Sequence, residues 1–343
     1  MNRTLNFDNV CISIGNNKLA EHLNVSLVTD EIDRNGGIVG IAGASGIGKS
    51  SLVRMLVDER FRNSCLISGS IHYDPSLRFA LLPQKPVLVE NDSVEKNLNL
   101  FSKVKSRKAW VDADLMSEYT MSFGVNELEG RKKSDGLSGG EAQRIMLVRT
   151  LGLNPDVLIL DEPFVGIDAL SKSKIAKALS KIVRTRKMVV IFISHNFSDI
   201  RSCCDHILFL ETNEAGLLSS PAEPKTIRRF TEKPETSRSA QFLGYPFVST
   251  VSLNASALGK SIGPHKEDYL VIGEKLVEAS PEDGLEARVT SMIGDIAYLE
   301  VSPEQEIAVP AYQFNDLSVS KLIYLDQKVG FAKIDVSSGN LTW

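Results

Sequence analysis

Gly43-Ala44-Ser45-Gly46-Ile47-Gly48-Lys49-Ser50 is the stretch that decides how this 343-residue chain folds. It fits the spacing G-x-x-x-x-G-K-[ST], follows the apolar run Ile38 to Ala42 and leads into the helical stretch Ser51-Leu52-Val53-Arg54-Met55-Leu56. Its glycines let consecutive backbone N–H groups converge on phosphate oxygens, and the helix behind them adds the positive end of its dipole. Lys49 supplies a point charge, and the Ser50 hydroxyl can sit on Mg²⁺. The expectation is a phosphate site for ATP held by Gly43 to Ser50, with Ser51 opening the helix.

Outward from this loop, Leu5 to about Leu218 alternates short apolar runs with longer stretches of helical period, which predicts an α/β domain. Ile38 to Ala42, Ala80 to Leu82, Val157 to Leu160 and Val189 to Ile193 are continuously apolar, as strands covered on both faces are. Val157-Leu158-Ile159-Leu160-Asp161-Glu162-Pro163 ends such a strand in two adjacent acids. With a phosphate loop upstream, Asp161 is expected to hold Mg²⁺, leaving Glu162 to orient or deprotonate the attacking water. Leu137-Ser138-Gly139-Gly140-Glu141-Ala142-Gln143-Arg144 opens a second helix with a hydroxyl and bare backbone N–H groups, a second anion site. Two such helix starts in one chain make sense if the second completes a site on another copy, so a head-to-tail homodimer is expected.

These motifs together resemble the ATP-binding cassette ATPases over about Leu5 to Leu218. The resemblance implies a P-loop NTPase domain with a helical subdomain at about 85–150. It also implies that Gln84, in Leu82-Pro83-Gln84-Lys85-Pro86, contacts Mg²⁺ and the water, and that Asp168 lies in a loop linking the two sites of the dimer. His195, in Ile193-Ser194-His195-Asn196, would hold the γ-phosphate and support Glu162. One departure stands out: the family stacks an aromatic ring on adenine upstream of the phosphate loop, and here the only ring between Phe7 and Gly43 is His22.

Composition and charge bound the rest. A net charge of -4 gives no basic footprint for nucleic acid, and no apolar run approaches the ~20 residues a membrane helix needs. Met1 to Asp8 lacks a secretory pattern, which predicts a chain kept in the cytosol, and the family resemblance implies a peripheral place on the cytoplasmic face of the plasma (inner) membrane. Cys11, Cys65, Cys203 and Cys204 read as reduced and structural. The 53 positions between Gln84 and Leu137 leave no room for the long coiled-coil arm of repair ATPases, and one cassette without membrane spans points to a stand-alone subunit.

After a Pro-rich stretch, Ser219 to Arg238, which reads as a linker or a solvated helix pair, alternating segments at Tyr269 to Ile272, Ala287 to Met292, Ile296 to Val301, Ile307 to Val309 and Lys328 to Ile334 predict a small all-β barrel. The domain reading is 1–222 for the cassette, 223–245 for a linker and 246–343 for an OB-like domain. Ala240-Gln241-Phe242-Leu243-Gly244-Tyr245-Pro246 resembles the junction in importer ATPases for oxyanions, ferric iron and polyamines. That implies integral membrane permease subunits and a solute-binding protein as partners. Gly273-Glu274-Lys275 stands where those relatives tend to have Arg-Pro-Glu, so ligand sensing and plain dimer support are both open for the tail. A non-transport regulatory ATPase with a β-barrel binding module is the alternative reading of the whole chain.

Overall fold

The computed structural model describes residues 2–85, 87–103, 111–132, 136–213, 215–232, 234–243 and 247–249, and further on 269–272, 284–293, 296–302, 305–310, 322–326, 331–334 and 341–342. The chain divides into two compact units, Met1–Ile227 and Arg228–Trp343.

The first unit holds two sheets. In chain order its strands are β1 (Leu5–Ile14), β2 (Asn17–Val28), β3 (Gly37–Ala42), β4 (Cys65–His72), β5 (Phe79–Leu82), β6 (Val157–Asp161), β7 (Val189–Ile193), β8 (His206–Phe209), β9 (Glu211–Thr212), β10 (Leu218–Ser219) and β11 (Lys225–Thr226). One sheet runs β4-β1-β2-β10-β9 and the other β11-β8-β3-β7-β6-β5. In the second sheet β8, β3, β7, β6 and β5 are parallel, and β11 adds an antiparallel edge. All six residues of β3 and all five of β7 are buried, which accounts for their uninterrupted apolar sequence. Within the stretch read as a linker or a solvated helix pair, Lys225–Thr226 forms β11.

Its helices are α1 (Asp30–Asn35), α2 (Lys49–Val57), α3 (Glu59–Ser64), α4 (Val94–Leu98), α5 (Ala113–Ser122), α6 (Gly139–Leu151), α7 (Ala169–Arg186) and α8 (Phe197–Cys203). α7 buries Ile175, Ala176, Leu179, Ile182 and Val183, the stripe of an amphipathic helix lying on a sheet. One cluster of buried side chains takes in Leu5, Ile12 and Leu27 of the first sheet, Val39, Ile159 and Ile191 of the second, and Leu52, Met55 and Leu56 of α2. The phosphate-loop helix is therefore fixed against both sheets. Cys203 and Cys204 are buried free thiols, as expected.

α9 (Ile227–Glu232) begins at the last residue of the first unit, and the second unit continues with α10 (Ser237–Phe242), N-capped by Thr236, and then with strands. β12 (Phe247–Ser249), β13 (Tyr269–Ile272), β18 (Phe331–Ile334) and β19 (Leu341–Thr342) form one four-stranded sheet, in that order. β14 (Gly284–Ile293), β15 (Ile296–Ser302), β16 (Gln305–Pro310) and β17 (Leu322–Asp326) form another, ordered β16-β15-β14-β17. Along β14, Ala287 and Val289 are buried while Glu286 and Arg288 are exposed, the alternation that made this segment readable as a strand. Gly244 to Pro246, Gly273 to Lys275, the turn at 280–283, Gly294 and Lys328 to Gly330 lie outside the described residues.

Candidate functional site

The parallel sheet brings three motifs together, because β7 lies between β3 and β6. The loop Gly43 to Gly48 leaves the carboxyl end of β3, Asp161 and Glu162 end β6, and Ser194 and His195 follow β7. The carboxyl edge of such a sheet is where open α/β folds bind ligands.

The phosphate loop is built for close approach. Gly43, Gly46 and Gly48 have φ of 142°, 80° and 106°, which L side chains rarely adopt. A Cβ on Gly43 would lie 2.3 Å from the Leu210 carbonyl oxygen, and one on Gly48 would lie 2.3 Å from Leu19 Cδ1. Lys49 is 6% exposed, and its Nζ donates to the carbonyls of Gly43 at 2.9 Å and Ala44 at 2.8 Å. Burial pushes its pKa below the ordinary lysine value, opposed by the charges of Glu162 and Asp161.

Ser50 Oγ donates to Asp161 Oδ1 at 2.9 Å across 111 positions of sequence. Burial raises the Asp161 pKa, a carboxylate short of positive charge, against the Ser50 hydrogen bond and the Lys49 charge that lower it. A hydroxyl and a desolvated carboxylate are hard oxygen donors, and Mg²⁺ takes one or two such protein ligands and fills its octahedron with phosphate and water. The residues present fit that ion.

Glu162 has φ of 49°, a left-handed conformation that costs a non-glycine residue energy and persists where surrounding contacts enforce it. Its N–H donates to Ile193 O at 3.0 Å, and its carboxylate, 11% exposed, accepts from the His195 N–H at 3.1 Å and lies 2.7 Å from His195 Nδ1. Glu162 and His195, expected to cooperate, are thus in direct contact. Gln84 is exposed just beyond the end of β5. Asp168 caps α7 by accepting from the Ser171 N–H at 2.9 Å, and its hydrogen bonds to Ser171 hold its pKa below the usual value.

Ser138 caps α6 in a capping box. Its Oγ accepts from the Glu141 N–H at 3.2 Å, and Glu141 Oε2 accepts from the Ser138 N–H at 2.7 Å. Arg131, which sequence reading passed over, donates to Glu141 Oε1 at 2.7 Å and holds the box from outside. A Cβ on Gly139 or Gly140 would fit with ordinary contacts among the described residues, the nearest being Gly166 O at 3.9 Å and Ile167 Cγ1 at 3.8 Å.

Two further features were not legible in the sequence. Leu19, not His22, is the side chain against the phosphate loop; the His22 ring sits 2.7 Å from Asn9 Oδ1. Lys172 Nζ donates to Asp199 Oδ1 at 2.8 Å and lies 6.0 Å from the centre of the Phe164 ring, tying the helices behind Asp168 and His195 to the turn after Glu162.

A glycine loop on a parallel strand, a buried lysine and a serine at the start of the following helix paired with an aspartate at the end of β6 define a P-loop nucleotide-binding domain. The ABC transporter family model matches residues 32–165. The tungstate uptake system ATP-binding protein of Peptoclostridium acidaminophilum is 32% identical over 184 residues, 53% of this chain and 85% of that protein. An aliphatic sulfonates import ATP-binding protein of Burkholderia cenocepacia is 32% identical over 180 residues, 52% of this chain and 65% of that protein. In fold, the chain is similar to a bacterial Atm1-family ABC exporter with ATP bound, with a TM-score of 0.54 and 22% identity over 71% of this chain and 42% of that one. The chain belongs to the ABC transporter ATP-binding family. No described helix is long and apolar enough to cross a membrane.

Proposed function

We propose that this chain is the ATP-hydrolysing subunit of an importer, driving solute uptake through separate permease subunits as a head-to-tail dimer at the cytoplasmic face of the plasma (inner) membrane. The importer reading is supported by the uptake and import roles of the tungstate and sulfonate relatives, and these favour it over a non-transport regulatory ATPase. A solute-binding protein would complete such a complex. The OB-like reading of residues 246–343 belongs to the same proposal and is supported by the all-antiparallel pairing of β12 to β19.

In this reading the N–H groups of Gly43 to Ser51 cradle the phosphates of ATP, and Lys49 moves from its two carbonyl partners to phosphate oxygens. Ser50 and Asp161, joined by Gln84, would hold Mg²⁺, which neutralises charge on the transferring phosphoryl group when bound. Glu162 orients the attacking water and accepts its proton, and His195 fixes the carboxylate and reaches toward the γ-phosphate. Ser138, Gly139 and Gly140 of one copy close the site of the other.

The observation that carries the dimer is the room at Gly139 and Gly140. The fold of one chain has no steric need for glycine there. Paired glycines ahead of a capped helix fit a requirement from outside the chain, such as a triphosphate lying close to the backbone. The hydrolytic assignment is tested by Glu162→Gln: ATP binding is retained and turnover falls at least ~10²-fold, the scale of a lost general base. Near-normal hydrolysis by this variant would count against it.

A further inference from the structure

The backbone of Val87, three residues beyond Gln84, is gripped by α6 on both of its polar groups. Its N–H points to Met146 Sδ at 2.8 Å, and its carbonyl accepts from Arg149 Nη2 at 3.0 Å. Val89 is gripped in the same way from α4: its N–H donates to Asn97 Oδ1 at 2.8 Å, and its carbonyl accepts from Asn97 Nδ2 at 3.1 Å. Leu88 between them is buried, while the side chains of Val87 and Val89 stand exposed. The segment behind Gln84 is therefore held by its backbone.

Arg149 is an expensive residue for this task. It is 4% exposed, its guanidinium lies over the Phe101 ring at 5.2 Å, and its Nε and Nη1 have no hydrogen-bond partner among the described residues. No described ion pair includes it. Burial lowers its pKa, yet a guanidinium keeps its proton inside proteins, so a buried charge is retained with a backbone carbonyl as its hydrogen-bond acceptor. An apolar side chain of similar length would remove the desolvation cost, and such replacements are commonly neutral or stabilising. Packing does not explain this arginine, whereas its hold on Val87 does.

We propose that Arg149 is a positioning residue: through Val87 it joins the helix that begins at Ser138 to the loop that carries Gln84, so that the two move as one piece. α6 starts at the helix end expected to meet the partner's nucleotide and carries Arg149 near its other end. Engagement of Ser138 to Gly140 is thus transmitted along a rigid helix to the segment behind Gln84. The inference rests on the ATPase reading above for what the linkage accomplishes, but the linkage can be measured apart from turnover.

The experiment compares the full-length wild type with Arg149→Met and Met146→Leu. Backbone hydrogen exchange is followed in the segment 84–89, together with thermal midpoint and the kcat and KM for ATP with Mg²⁺. Arg149→Met is expected to keep or raise the thermal midpoint, to speed exchange at 87–89 by at least ~10-fold and to cut kcat by ~10-fold with KM within about twofold, the scale of a misplaced catalytic group. Met146→Leu, which keeps core volume and removes only the sulfur, should speed exchange at the Val87 amide with a smaller loss of kcat. Unchanged exchange, unchanged kcat despite faster exchange, or a fall in thermal midpoint that accounts for the lost activity would each overturn the proposal. Full hydrolysis by Glu162→Gln would instead overturn the catalytic assignment and leave the exchange result standing.

Discussion

The two phosphate-facing helix starts of this molecule are made differently. At α2 the glycines before the helix answer to the chain itself: Gly43, Gly46 and Gly48 all take positive φ, and Gly43 and Gly48 also leave no room for a Cβ. Lys49 is buried behind them and already holds two carbonyls. At α6 the helix is sealed by Ser138, Glu141 and Arg131, and its two glycines have ordinary space around them. The first start is fixed by the chain's own packing, and the second, in the proposed reading, meets a nucleotide bound by another copy. Glycine demanded by the chain's own packing and glycine left with room thus separate self-contained from shared binding elements.

The largest expected effect breaks the comparison at α2. Gly48→Ala forces a side chain onto Leu19 at a left-handed residue, and backbone strain of this kind costs about 1–3 kcal/mol. Both thermal midpoint and ATP binding should fall, read by calorimetry and by titration with a fluorescent nucleotide. Gly140→Ala is the matching change at α6. The thermal midpoint should stay within a degree or so of wild type while turnover drops by roughly 10²-fold, the cost of a displaced reacting group. If Gly140→Ala destabilises the isolated chain as much as Gly48→Ala does, the distinction between the two starts is lost.

A third test sharpens the sharing. Glu162→Gln with ATP and Mg²⁺ should sediment as a dimer, and adding Gly140→Ala should return it to the monomer. A smaller effect is expected from Asp161→Asn without Mg²⁺. The folded-state pKa of Asp161 is raised, so above the ordinary value of 3.8 the folded chain binds the proton more strongly than the unfolded chain does. Stability is then lost as pH rises through that window. The variant removes this loss, so its thermal midpoint should exceed that of wild type by a few degrees at neutral pH, with the gap closing near pH 3.8. The smallest effect is Ser138→Ala, which removes one helix cap, worth about 0.5–2 kcal/mol in chemical denaturation.

Much of the first unit is legible in the sequence. Continuous apolar runs marked β3, β5, β6 and β7 to within a residue or so, because strands covered on both faces leave no alternation to confuse them. β10 and β11 are not legible there, since two-residue strands carry no periodicity and Pro221 and Pro224 mark a linker or a solvated helix pair. The Glu162–His195 contact was expected from family resemblance, whereas Leu19 beside Gly48 was not, because an aliphatic residue in a strand reads as core.

By itself the sequence determined the chemistry: a glycine loop, a lysine, a serine, paired acids and a capped glycine helix start are local patterns whose spacing carries their meaning. Only the tertiary structure decided which of them meet. Ser50 reaches Asp161 because β7 separates β3 from β6 by one strand, and Arg149 reaches Val87 across 62 positions because α6 packs where it does. Strand order and helix packing are non-local outcomes of burying one shared core, and no short window of residues encodes them.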